Sequence, residues 1–100
     1  MIPPSYTIKN KVWLYSGQGA WHFVSVPPKV SKQIKSMFGY LKAGWGSLPV
    51  NLTIGKTTWQ TSIFPDSKSA TYLIPLKAAV RKKENIALGD TVEILIEFRV

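Results

Sequence analysis

The chain reads as a mainly β domain, a small six-stranded β-barrel or strongly twisted sheet with two short helices. Three observations predict this. First, Val92, Ile94, Ile96, Phe98 and Val100 alternate with Thr91, Glu93, Leu95, Glu97 and Arg99, the period of two of a strand with one buried face. Second, two earlier pairs of alternating segments flank short turn clusters, Ser16-Gly17-Gln18-Gly19 and Gly55-Lys56, and so read as hairpins. Third, the chain has 100 residues, 45% of them hydrophobic and 18% charged, which suits one small folded domain spanning residues 1–100.

The first strand falls at about residues 5–15, with Tyr6, Ile8, Val12 and Leu14 on one face and Thr7, Lys9, Lys11, Trp13 and Tyr15 on the other. Ala20–Val26 forms the second, ended by Pro27-Pro28. Val30, Ile34, Met37, Phe38 and Leu41 then fall at helical spacing, with Lys29, Lys32 and Lys35 off the stripe. Gly44-Trp45-Gly46 is a loop. Leu48–Ile54 and Thr57–Phe64 are the third and fourth strands; Pro49 lacks a ladder donor, so it marks an edge or a strand start. Ala70–Ile74 is a short fifth strand. Pro75 fits the first position of a second helix carrying Leu76, Ala79 and Val80. Gly89-Asp90 turns the chain into the last strand. Closing the strands into a barrel would remove unpaired edges; an open sheet with both helices on one face is the alternative.

Composition narrows the chemistry. The net charge is +8, and residues 1–65 hold seven lysines and no Asp or Glu. That asymmetry fits either an anion-binding face or solvated lysines on strand surfaces. There is no cysteine, which removes disulfides and thiolate chemistry. His22 is the only histidine, and with no cysteine beside it a transition-metal site is not expected. Its strand is partly apolar on both faces, so parity leaves its direction open; a backbone carbonyl or water is its expected partner. Glu93 and Glu97 share a face of the last strand with Cα atoms about 13 Å apart, too far for a shared-proton pair. Asp90 is expected to cap its own turn. No phosphate loop or nucleophile elbow is present. No cofactor is therefore expected. No apolar run approaches a membrane span and no signal-peptide pattern opens the chain, so cytoplasm is the expected compartment.

Several residues match one family pattern. Gly46-Ser47-Leu48-Pro49-Val50, Ile54-Gly55, Trp59, Thr61-Ser62-Ile63-Phe64-Pro65, Tyr72-Leu73-Ile74-Pro75-Leu76-Lys77, Arg81-Lys82 and Gly89-Asp90 resemble the family catalogued as domain of unknown function 1905. Trp21-His22-Phe23-Val24 and Val26-Pro27 match its N-terminal part. The resemblance implies a small β-barrel of bacterial and archaeal type and no defined activity. A more local likeness, a short helix, Leu88-Gly89-Asp90 and a Val-containing strand, resembles swapped-hairpin transcription factors.

Function is open among four readings. The first is a non-catalytic module binding a small anionic ligand or peptide at Trp45, Trp59, Ser62, Lys77 and Arg81, where Lys77 and Arg81 are i, i+4 neighbours able to share one anion. The second is a nucleic-acid binder using lysines 9, 11, 29, 32, 35, 42 and 56 with Tyr15, Tyr40 or Trp45. The third is a structural or oligomerising protein that offers a strand edge near Pro49 to a protein partner. The fourth is an enzyme pairing His22 with Ser47 or Ser62. Most of the four tryptophans are expected in the core.

Overall fold

A computed structural model describes residues 5–17, 19–39 and 46–99. The elements are β1 (Ser5–Leu14), β2 (His22–Ser25), α1 (Pro28–Phe38), β3 (Leu48–Ile54), β4 (Thr57–Asp66), β5 (Thr71–Pro75), α2 (Ala78–Lys83) and β6 (Thr91–Phe98). The strands close into a barrel in the order β1-β2-β5-β4-β3-β6, with every neighbouring pair antiparallel. The twisted open sheet is thereby set aside. β6 pairs with β1 on one side and β3 on the other.

Two long strands change partner along their length, and this is how the barrel closes. β1 pairs with β6 over Ser5–Lys11 and with β2 over Val12–Leu14. β4 pairs with β3 over Thr57–Ile63 and with β5 over Phe64–Asp66. Between them β2 and β5 form a short seam, Phe23 opposite Pro75, Val24 opposite Ile74 and Ser25 opposite Leu73.

The alternating pattern fills the interior. Val92, Ile94, Ile96 and Phe98 of β6 are buried, as are Leu48, Val50, Leu52 and Ile54 of β3. Ile63, Ile74, Val24 and Val12 complete the ring. α1 lays Ile34 and Phe38 over one end, where the Phe38 ring stacks on Phe98 at 4.1 Å. Burying such side chains contributes about 1.5–3 kcal/mol each, the main favourable term in a domain this small.

Two expectations are corrected. Pro75 ends β5 rather than starting a helix; α2 begins at Ala78 with Lys77 as its N-cap. A proline is tolerated there because it is the last strand residue, and the next ladder donor is the Leu76 N–H, bonded to the His22 carbonyl. Proline instead opens α1, where Pro28 needs no N–H partner. Nor is there a free strand edge at Pro49. It is the second residue of β3, lies opposite Ser62 of β4, and its carbonyl accepts the Arg99 N–H at 3.1 Å.

α1 is bonded into the seam itself. The Val26 N–H donates to the Tyr72 carbonyl at 2.8 Å, extending the β2–β5 register by one pair. The return bond is relayed: the Tyr72 N–H donates to Ser31 Oγ, and that hydroxyl donates to the Val26 carbonyl, each at 3.0 Å. A buried serine hydroxyl thus fills a rung of the ladder. Ser31→Ala leaves the Tyr72 N–H without a partner, and we expect a loss of roughly 1–3 kcal/mol, a fall of at least about 5 °C in Tm. An unchanged melting curve would refute the relay. A gain is expected at Ala70, exposed in the β4–β5 turn with φ +56°. Left-handed backbone costs alanine about 1–2 kcal/mol, which outweighs the extra unfolded-state freedom of glycine. Ala70→Gly should therefore raise Tm by a few degrees in calorimetry.

Candidate functional site

The barrel wall has two unlike outer faces. Apart from Leu95 and Pro49, the outward positions of β6, β3 and most of β1 are polar: Thr7, Lys9, Glu93, Asn51 and Thr53 among them, with Lys9 and Glu93 paired at 3.5 Å. Outside the seam the wall is aromatic. On β1 and β2 the inward positions are taken by Val12 and Val24, so Trp13 and Phe23 point out. They face each other in register with centroids 5.4 Å apart. Phe23 is the hub, with Tyr15 edge-on at 6.1 Å and Trp21 nearly parallel at 6.1 Å and 8°. Ser25 holds Trp13 by accepting the indole N–H at 3.0 Å. Across the seam Leu73 and Phe64 lie opposite each other on β5 and β4. Together Tyr15, Trp21, Phe23, Phe64 and Leu73 line a groove of about 260 Å³. Trp21 is 55% exposed, Tyr15 48% and Phe64 40%. Scattered exposed apolar residues are ordinary, whereas these are gathered around one groove, which makes it the candidate site.

α2 closes one end of this face. The Leu76 N–H to His22 carbonyl bond, 2.9 Å, continues the seam register, and the extended backbone of Lys77 carries it one residue further. That sets Lys77 opposite Trp21. On its other side Trp21 is held by its carbonyl, which accepts the Tyr15 N–H at 2.8 Å. Arg81 turns back toward the seam: Nε donates to the Leu76 carbonyl at 3.1 Å, and Nη1 approaches His22 Nε2 at 3.4 Å. For Nε2 to accept, His22 must carry its proton on Nδ1, which faces the Ala20 carbonyl at 3.0 Å. The expected backbone partner of His22 is therefore present, on a strand position with inward parity.

A second depression, about 410 Å³, lies between the β3–β4 turn, the end of α2 and the start of β6, with Glu84, Asp90 and Glu93 among its walls. Each carboxylate is already engaged. Glu84 accepts the Thr57 hydroxyl at 2.6 Å, Asp90 accepts the Ala87 N–H at 2.8 Å as the turn cap expected of it, and Glu93 pairs with Lys9. Glu84 reaches across Gly55, whose φ of +57° and lack of a side chain let the carboxylate pass. This depression ties α2 to a hairpin. Among the described residues no group of three or more His, Asp or Glu is placed to hold a metal ion.

The five residues singled out from the sequence are dispersed. Trp59 is buried in the core, opposite Leu52. Ser62 points outward on β4, two residues before Phe64. Lys77 and Arg81 adjoin the aromatic face, the first exposed and the second half-buried against His22. Trp45 lies outside the described residues, as do Tyr40 and Lys42. The described lysines of residues 1–65 are spread over β1, α1 and the β3–β4 turn. The expectation for tryptophan is corrected: among those described, only Trp59 is core, while Trp13 is half-buried and Trp21 exposed on the outer face. Parity carried the signal, since Trp13 and Tyr15 alternate in phase with Lys9 and Lys11. His22 is not within a described hydrogen bond of Ser47 or Ser62; its ring is taken by Ala20 and Arg81.

The architecture defines a small closed antiparallel barrel plugged by two helices. The chain belongs to the family described as Domain of unknown function (DUF1905), whose model matches residues 9–96. No curated protein matches the chain. No helix of the described residues is long and apolar enough to cross a membrane.

If Arg81 pins α2 to the seam, Arg81→Ala should cost roughly 1 kcal/mol. Nitrogen NMR should show His22 as the Nδ1–H tautomer in the native protein and a tautomer mixture in the variant. The same tautomer in both would remove Arg81 from this role.

Proposed function

We propose that this domain is a non-catalytic binding module whose ligand joins a flat apolar body to a negative charge. The observation that carries the reading is the apolar groove bounded by exposed Trp21, Tyr15 and Phe64, with Lys77 in register beside Trp21. A pocket of mostly apolar lining with few polar groups at its rim is the usual form of a small-molecule site. The groove supplies area for an aromatic or aliphatic body and the ammonium supplies the charge. Ser62, outward on the same strand as Phe64, adds a hydroxyl to that side. Arg81 acts one step removed by fixing the strand end that carries Lys77. The excess of lysine over acid in residues 1–65 favours an anion over a cation.

Anilinonaphthalene sulfonate, an aromatic anion, is a direct probe. Its fluorescence should rise and shift blue on binding the native protein. Trp21→Ala should weaken binding roughly three- to tenfold, the scale of one aromatic contact, and Lys77→Glu should weaken it as well. Affinities equal to the native value in both variants would place the dye elsewhere and dismiss this groove.

A further inference from the structure

The aromatic face is longer than a single small ligand needs, and lysines stand at both of its ends, with Asp66 the acidic residue that follows Phe64 on the same side of β4. Trp13, Phe23 and Trp21 run in sequence along the outside of the seam, and Phe64 and Leu73 continue the surface across it. Lys11 is exposed on the same side of β1 as Trp13, two residues before it, and Lys77 stands beside Trp21 at the other end. The five groove side chains themselves offer one hydroxyl, that of Tyr15, and no charge.

We infer that this face binds a single-stranded nucleic acid, with unpaired bases against Trp21, Phe23 and Phe64 and phosphates near Lys11 and Lys77. This deepens the binding-module reading and rests on it. Base stacking on aromatic rings requires flat exposed faces and tolerates any base, because every base has a π-face. The near-parallel Trp21 and Phe23 rings and the scarcity of hydrogen-bonding groups fit that mode and give no means of reading base edges. Lysine rather than arginine at the flanks suits phosphate contact as a point charge. Charge complementarity selects this occupant over a second copy of the chain. A second copy would bring its own net +8 and its own lysines to the same surface, whereas a polyanion would be drawn to it. The closed barrel also lacks the strand edge that an extended peptide would join. Duplex bases are stacked on one another and cannot reach the rings, so single strands are preferred.

The test is anisotropy of a fluorescein-labelled oligothymidylate of about 15 nucleotides, a length within the range one small barrel occupies. The same length of duplex serves as the comparison, from about 20 to about 200 mM salt. Single strand should bind more tightly than duplex, with log K falling linearly in log salt. Trp21→Ala, on an exposed side chain whose loss should leave the melting curve intact, should reduce affinity at least about fivefold, the loss of one stacked base. Trp21→Phe should retain most of it. Lys77→Glu should weaken binding and flatten the salt slope. The inference is overturned by no binding at low salt, by duplex binding as tightly as single strand, or by Trp21→Ala binding as tightly as the native chain. It is equally overturned by a native dimer on size exclusion that Trp21→Ala converts to monomer, because the face would then be a self-interface. Dye binding in the groove without oligonucleotide binding rejects this inference and leaves the binding module standing; loss of both rejects both.

Discussion

The fold depends on closing a six-stranded wall through a seam of three paired residues on each strand. β6, β3, β1 and β4 share long registers and would hold together as a sheet. Such a sheet would leave β1 and β4 with unpaired edges and one open side of the core. β2 and β5 supply the missing width, but each is too short to hold the closure by ladder bonds alone. Burial does most of the work: Val24 and Ile74 at the centre of the seam are completely enclosed, so opening it would expose the core to water.

Both ends of the seam are completed by helices, and this explains why two short helices sit where they do. At one end the Ser31 hydroxyl of α1 stands in for a backbone rung between Val26 and Tyr72. At the other, Arg81 of α2 returns to the Leu76 carbonyl and to His22. Glu84 then fixes the far end of α2 to the β3–β4 hairpin through Thr57. Neither helix is an independent unit. α2 has only six residues and would not persist alone, so its polar anchors and buried Val80 define it. Tyr72, buried beside the seam, has its phenol pushed above the usual tyrosine range by burial. Its folded pKa exceeds the unfolded one, so that contribution to stability is complete below the unfolded value and fades as pH rises through the folded one.

The candidate site is a product of the same closure. Its inner counterpart is ordinary core, whereas its outer surface collects aromatics from the β1–β2 hairpin and β4, with Leu73 from β5. The opposite wall differs in kind, with threonines, Asn51 and the paired Lys9 and Glu93 on its outer side. The acidic depression near Glu84 is the larger hollow, but its carboxylates are consumed by internal contacts.

The local sequence determined the number and kind of elements and, along β3 and β6, which side of each strand faces inward; along β4 it did not, since Trp59 and Ser62, of opposite parity, were both expected at one site. Side-chain direction in a strand is set by neighbouring residues, and in β3 and β6 one parity was clearly apolar. The family pattern was legible for the same reason, as fixed residues at fixed spacing. Where both parities were partly apolar, as at His22 and Phe23, sequence left the direction open, and it misplaced the start of α2 because Pro75 suits either a helix start or a strand end. The tertiary structure decided which outer faces became neighbours. Trp21 lies between Tyr15 and Lys77, and Phe64 meets Leu73, only because the closing register brings distant strands side by side. That register is fixed by the summed burial of the whole core, a quantity no local stretch of sequence contains.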